Sequence, residues 1–577
     1  MHDASYGLAG VSLVVLATLL IGVFGLRFSR TTSDFYVASR SVSPLGNASA
    51  IGGEYLSAAS FLGIAGLIMA YGADMLWLPV GWTGGYLVLL VLVAAPLRRS
   101  GAYTLPDFAE TRLESMAVRR VTSVLVVLIG WLYLMPQFQS AGLVLRTVVG
   151  APVWAGGVLV AVVVMMNVLS GGMRSITLVQ AFQYWLKLTA LAVPLIFLVF
   201  AWRYDAAPGL GRDAPPTFSD RTTVAVGTDV TVRVEHPVEI VVTGKMDGRP
   251  YRAALLALTA GDHRISKNTE VTFPAGAAVP HVAGLPARTD RQWAMPLSGR
   301  EHPLYATYSL ILATFLGTMG LPHVLVRFYT NPDGRAARRT TAIVLSLLGA
   351  FYLLPGLYGA LGRLYAPELL MTGRTDAVVL TLPGRLVGGV AGDLLTALVT
   401  GGAVAAFLST SSGLTVSVAG VIGQDLLRGG VRSFRAATVL ALIVPLVLAL
   451  AARALSVADV VGLAFALAAS TFCPLLVLGI WWRRLTVMGA LAGLVTGGGL
   501  AGAAVLWTIV GGPPNGLAGA LLAQPAAWSV PIAFAVMIGV SLVTPRSVPA
   551  GVARTMVRLH VPESLDVDRG TWRPKGG

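Results

Sequence analysis

Glu54 lies in the string ASAIGGEYLSAASFLG, inside an apolar run, next to Gly52 and Gly53 and just before the small residues 57–60. A carboxylate at that depth is costly, and so many small residues weaken a helix. A broken membrane helix exposes carbonyls to cations, and the N-terminus of its second half favours an anion. Tight packing through small residues is the other reading of the string; Glu54 weighs toward a site. A second cluster, Ser409, Thr410, Ser411 and Ser412, sits in the run LLTALVTGGAVAAFLSTSSGLTVSVAG. Four hydroxyls together offer hard oxygen ligands to a small cation, or each bonds the carbonyl one turn back. Lys187, inside another apolar run, attracts a substrate carboxylate, pairs with Glu54 or snorkels. The seven histidines are scattered, and the sequence has no paired-carboxylate site, metal-ligand cluster or phosphate-cradling glycine loop. The chain is read as neither an enzyme nor an ATP-driven pump, and its driving force is expected to be an ion gradient.

Elements must hold these clusters in place, and composition says where they lie. Hydrophobic residues make up 55% of the 577 and charged residues 12%, about half the soluble norm of roughly 25%. Thirteen runs are long enough to cross a bilayer: 5–26, 45–72, 76–97, 121–147, 152–170, 176–202, 304–326, 341–364, 386–412, 434–453, 457–481, 486–510 and 528–545. The first has no basic start and no small-residue cleavage site, so it is read as a span and not as a cleaved signal. With the N-terminus outside, the inward segments are 27–44, 98–120, 171–175, 327–340, 427–435, 482–485 and the tail from 546. They hold 24 of the 42 lysines and arginines, against Arg374 and Arg385 in the short outer loops. That asymmetry sets N-out and C-in across the cell membrane. The net charge of +15 then marks the cytoplasmic face and its anionic lipids, and no nucleic acid is needed. Cys473 is the single cysteine, which excludes a disulfide scaffold.

The segment 203–300 differs, with 12 Lys+Arg and 10 Asp+Glu. Its string TVAVGTDVTVRVEHPVEIVV alternates apolar and polar residues, with turn signals at GTD, MDGRP and AGDH. This predicts a small β-rich domain outside the membrane. It is read as an insertion without a direct transport role, or as a lid or protein-partner site. The chain therefore divides into spans 1–6 over 1–202, the insertion 203–300, spans 7–13 over 301–545 and a basic cytoplasmic tail 546–577. The fold class is an all-α polytopic membrane protein with one β-rich extracytoplasmic insertion.

Several strings resemble the sodium:solute symporter family. ASAIGGEYLSAASFLG resembles its first core helix, and GAYTLPDFAETRL its cytoplasmic segment after the next helix. SGGMRSITLVQ resembles its glycine signature, which often continues Thr-Asp-x-x-Gln; here Thr177-Leu178-Val179-Gln180 lacks the aspartate. LGTMGLPHVLVRFYT resembles its second signature through Pro322, His323, Arg327 and Phe328. The resemblance covers nearly everything except 203–300 and looks nearest to the acetate and short-chain monocarboxylate branch. It implies a LeuT-like core, with inverted five-helix repeats within 45–202 and 304–481.

By position, the resemblance implies a sodium site made of the carbonyls of Gly53, Leu56 and Ala406 and the hydroxyls of Ser409 and Thr410. Substrate contacts are expected from Ser57 and Ser60 at the break, Gln137 and Gln139, Thr314 and Thr318, and Ser470. Tyr55 and Phe61 are expected to gate the site, or to pack. Glu54 tunes the cation electrostatically, and His323 and Arg327 take a structural or gating role. The function implied is sodium-coupled symport of a small monocarboxylate such as acetate. Protons in place of sodium, another solute (amino acid, urea, pantothenate), and a transporter-like receptor sensing through 203–300 remain the alternatives.

Overall fold

The computed structural model describes residues 2–25, 42–205, 209–210, 213–283, 285–297, 302–427, 430–451, 457–511, 516–563 and 565. Most of the basic segment 27–44 and of the tail beyond 563 lies outside the described residues.

Helices dominate. The first part of the chain forms α1 (His2–Gly25), α2 (Pro44–Tyr55), α3 (Ile64–Tyr71), α4 (Trp77–Val88), α5 (Ala94–Ser100), α6 (Leu105–Leu113), α7 (Met116–Val149) and α8 (Val153–Tyr204). A short helix, α9 (Asp290–Ala294), follows the sheet. The second part forms α10 (Pro303–Gly320), α11 (Pro322–Val326), α12 (Gly334–Tyr365), α13 (Glu368–Thr372), α14 (Val378–Leu386), α15 (Gly389–Asp425), α16 (Val431–Ala451), α17 (Val457–Trp481), α18 (Val487–Gly511), α19 (Gly516–Ala523), α20 (Ala526–Val543) and α21 (Val552–His560).

Eleven stretches among the described residues are long and apolar enough to cross a membrane, against the thirteen expected. The difference lies in two places. One apolar stretch runs from Ala59 to Ser100, but Gly72 turns it with φ +75°. There a Cβ would run into the Trp293 carbonyl, so glycine is required by both conformation and space. The other place is α8. At 52 residues it would be about 78 Å long if straight. Instead Ser175 Oγ donates to Gly22 O, and Asn167 lies against Gly22. Val153 lies against Gly142 of α7, while beyond Ser175 the helix runs back along α1, Gln183 Nε2 donating to Thr18 Oγ1 at 3.2 Å, so the chain reverses within α8.

Residues 222–282 fold as an antiparallel sheet of β1 (Thr222–Val226), β2 (Val230–Val234), β3 (Val238–Met246), β4 (Arg249–Leu258), β5 (Gly261–Ile265), β6 (Thr269–Phe273) and β7 (His281–Val282). The strand order is β1-β6-β3-β5-β2-β7, with β4 on β3. In β2, Val230, Val232 and Val234 are buried while Thr231 and Arg233 are exposed, as period-two alternation requires. Met371 of α13 joins the apolar core of this sheet, so the domain is seated on the helices. Elsewhere the seat is polar. Trp293 Nε1 donates to Ile68 O at 2.6 Å, and Arg363 Nε to Asp290 Oδ1 at 2.8 Å. The side of the helical body under this sheet is called the domain face below. On the opposite face Arg119 is ion-paired with Asp107 at 2.9 Å, Asp425 at 2.7 Å and Glu110, which ties α6, α7 and α15 together.

Candidate substrate and cation site

The helix begun by α2 breaks at Leu56, where ψ is 84°, and resumes at Ala58. A break at this depth releases backbone groups that must find partners inside the protein. Each partner is a side chain from another element. Lys187 Nζ of α8 donates to Leu56 O at 2.7 Å and to Gly53 O. Thr410 Oγ1 of α15 donates to Glu54 O at 2.6 Å. Gln137 Oε1 of α7 accepts from Ala58 N at 3.3 Å. Gly53 is needed where α2 meets α8, because a Cβ there would strike the Gln180 carbonyl.

The oxygens expected to ligate sodium divide into two sets. Gly53 O, Leu56 O and Ser409 Oγ converge on Lys187 Nζ, the last at 2.9 Å. Ala406 O accepts from Ser409 Oγ at 3.1 Å, and Thr410 is turned to Glu54 O. The cradle therefore fits one small cation through three oxygens, and the lysine ammonium is the cation seated there. Lys187 is fully buried.

Glu54 faces away from that cradle. Arg327 Nε donates to Glu54 Oε2 at 2.7 Å, Nη1 to Thr177 Oγ1 at 2.8 Å and Nη2 to Gln180 Oε1. Asn47 Nδ2 reaches Arg327 O at 3.1 Å, and Gln180 Nε2 donates to Ser409 O at 2.7 Å. Glu54 therefore pairs with Arg327, and the pairing with Glu54 that was one of the readings of Lys187 is not made. The network fastens α2, α8 and α15 to the turn after α11. Gly413 leaves room for the Glu54 carboxyl, into which a Cβ would project.

On the other side of the break lies an aromatic cluster. Tyr55 meets Tyr86 edge-on at 4.9 Å and Phe465 at 6.3 Å. Trp82 lies 5.7 Å from Phe465 and 5.8 Å from Tyr352. Tyr133 lies 5.3 Å from His323 and 6.1 Å from Phe465. Hydroxyls join the cluster to the break: Tyr133 OH donates to Ser57 Oγ at 3.5 Å, and Ser60 Oγ bonds Tyr352 OH at 3.1 Å. Among the described residues, Trp82 Nε1, Tyr86 OH and both His323 ring nitrogens are buried without a hydrogen-bond partner. Buried polar groups are seldom left so.

The expected substrate residues scatter around this centre. Ser57, Ser60 and Gln137 line the break. Thr318 bonds Tyr55 OH at 2.7 Å. Thr314 donates to its own Leu310 carbonyl. Gln139 points toward α16, donating to Ala449 O. Ser470 bonds Ser529 of α20 at 2.7 Å. Phe61 packs on Phe351 and against Gly402. Trp82, Tyr86, Tyr133, Tyr352 and Phe465 were not expected. The first four carried a signal, an aromatic ring with a polar handle in mid-span, with Trp82 and Tyr86 four residues apart on one helix face; Phe465 carried none.

Comparison with known proteins gives a consistent result. The sodium:solute symporter family profile matches residues 35–203 and 294–497. An uncharacterized symporter of Bacillus subtilis, YwcA, is 29% identical over 84% of this chain and 82% of its own. A monocarboxylic acid transporter of Corynebacterium glutamicum is 29% identical over 84% of this chain and 81% of its own. Among solved structures, a substrate-bound, outward-open Na+-coupled sialic acid symporter superposes with a TM-score of 0.63 at 14% identity, covering 93% of this chain and 97% of that one. A closed nucleobase-cation-symport-1 family transporter gives 0.53 at 13% identity, covering 92% and 99%. These two likenesses establish the fold, that of LeuT-like transporters.

Proposed function

We propose that this chain, which belongs to the sodium:solute symporter family, is a secondary active symporter carrying a small monocarboxylate such as acetate into the cell with a cation. What supports the reading is the polar accounting of the break. On one side three oxygens hold a positive charge. On the other, a half-helix N-terminus and unpartnered donors on Trp82, Tyr86 and His323 suit a small anion. The Corynebacterium relative's description as a monocarboxylic acid transporter agrees with that chemistry. Small hydroxyls and an amide, Ser57, Ser60, Thr318 and Gln137, suit a short acid. Glu54 and Arg327 act as a clamp on the far side of the break, and the inverted repeats move around it.

The family's name makes sodium the first reading of the coupling ion, entering at Gly53 O, Leu56 O and Ser409 Oγ. One observation favours protons instead: Lys187 Nζ already fills that seat. Sodium must displace the ammonium, whereas a proton-driven carrier keeps it. The membrane potential adds about 2.3 kcal/mol per inward charge per 100 mV in either case. The basic segments face the cytoplasm and the β domain faces out. We read that domain as a roof on the transporter, fastened to the helices through Met371 and Arg363.

The test is uptake of labelled acetate into proteoliposomes, with sodium and proton gradients imposed separately and short acids as competitors. Competition by propionate and pyruvate is expected. Competition by proline or urea, with none by short acids, overturns the substrate assignment.

A further inference from the structure

One sizeable cavity lies away from the break. It lies under the β domain, encloses about 670 Å³ and opens on the domain face. Its floor is Leu67, Ala70 and Tyr71 of α3 with Gln139, Ser140 and Leu143 of α7; its roof includes Gly227, Thr228, Val282 and Leu285 from the inserted segment. Two half-buried arginines face it, Arg146 from the last turn of α7 and Arg374 from the turn after α13, against one carboxylate, Asp376.

Each arginine is fixed by one guanidinium nitrogen. Arg146 Nη2 donates to Gly227 O at 3.1 Å, and Arg374 Nη2 to Thr147 Oγ1 at 2.8 Å. The two guanidinium groups feel each other. Burial, and then Arg146 beside it, hold Arg374 below its ordinary value. Like charges brought together in one cavity lower their mutual repulsion by binding an anion between them. The cavity and the site share α7. Gln137, at the break, is one turn of α7 from Ser140 on the cavity floor, and Arg146 is about 14 Å from Gln137 along the helix axis.

We propose that this roofed vestibule is a second, carboxylate-binding site, in which Arg146 and Arg374 capture the small acid before it reaches the break. The inserted domain thereby has a role in transport: it supplies the roof and, through Gly227 O, orients Arg146. The inference rests on the monocarboxylate reading above. A charged cleft with low-dielectric walls raises the local concentration of its counter-ion, so the site acts on the apparent affinity and leaves turnover at the break unchanged.

The experiment compares labelled acetate uptake by the wild type, Arg146→Gln, Arg374→Gln, the charge-retaining Arg374→Lys, and Thr147→Ala, at low and physiological ionic strength. Each Gln variant is expected to raise KM about fivefold to tenfold, the latter equivalent to roughly 1.4 kcal/mol, with the maximal rate unchanged. Arg374→Lys restores most of the loss, and Thr147→Ala, which frees Arg374 from its partner but keeps its charge, raises KM by clearly less than Arg374→Gln. Salt raises the wild-type KM, as screening beyond about 10 Å requires. That measurement stands even if the Gln variants fail to fold. A wild-type KM indifferent to salt, Gln variants with wild-type KM, or a Thr147→Ala effect as large as the Gln effects overturns the vestibular site while leaving the transport reading intact. A wild type that carries no carboxylate removes both.

Discussion

Lys187→Ala isolates the cation seat. In the wild type the ammonium makes three hydrogen bonds, to Gly53 O, Leu56 O and Ser409 Oγ, in full burial. Hydrogen bonds to a charged group contribute roughly 1.5–3 kcal/mol each, and an acceptor stranded without a donor costs about 1–3 kcal/mol. Water entering the space of the lost side chain offsets part of this. The variant in sodium-free medium is therefore expected to be a few kcal/mol less stable than the wild type. The oxygens remain, and they are hard ligands within reach of one point. A sodium ion can then take the seat without expelling a resident charge. At an effective dielectric near 20, that like-charge penalty at 4 Å is about 4 kcal/mol. The variant should gain about 2.7 kcal/mol of stability at a hundredfold excess of sodium over its Kd, and the wild type much less. The assay is thermal unfolding of the purified full chain in sodium chloride against choline chloride. Equal sodium stabilisation of wild type and variant, or stabilisation of the wild type alone, would refute the shared seat.

Other substitutions probe the neighbouring groups. Ser409→Ala removes one partner of Lys187 and the donor to Ala406 O, a loss of about 1–2 kcal/mol, and should lower uptake more than Thr415→Ala, which only loses a bond to its own helix. Glu54→Gln or Arg327→Met breaks a buried ion pair at about 3–5 kcal/mol. The double change Glu54→Gln with Arg327→Met should cost less than the sum of the singles in thermal unfolding; strict additivity would show that the pair does not act as a unit. In the β domain, burial presses His263 down, but its bonds to Asp247 Oδ2 at 2.8 Å and Thr259 O at 2.9 Å outweigh that, and its value is raised. A raised histidine stabilises fully below its unfolded value of about 6.5 and loses that contribution as pH rises through the folded value. Hydrogen exchange of the Asp247–Arg264 region, corrected for intrinsic rates, should therefore show easier opening as pH rises through that window, and His263→Asn should abolish the trend.

How much of this was legible in the sequence differs by distance along the chain. The break was legible, because Gly52, Gly53 and the small residues after Glu54 are neighbours in one string. So was the alternation in β2, which a half-buried strand imposes locally. The partners of Glu54 and Lys187 were not, since Arg327 is 273 residues from Glu54 and Ser409 is 222 from Lys187. Composition gives no register between helices so far apart. Gln137 and Gln139 were separable in principle. Two residues apart on a helix do not share a face, so one lines the break and the other bonds Ala449 O at 3.1 Å. Ser470 and Thr314 look polar in mid-span, but each donates to the carbonyl four residues back, the ordinary fate of a hydroxyl in a membrane helix. The vestibule had no sequence signal, because its walls come from seven separate stretches of the chain.

Symport is tested most directly by the accumulation ratio of labelled acetate in proteoliposomes holding a cation gradient, with and without the ionophore that dissipates it. Concentration of acetate inside above the level outside, collapsing on dissipation and lost in Ser409→Ala, is the predicted result. Uptake that only equilibrates, or that ignores both sodium and proton gradients, would contradict it.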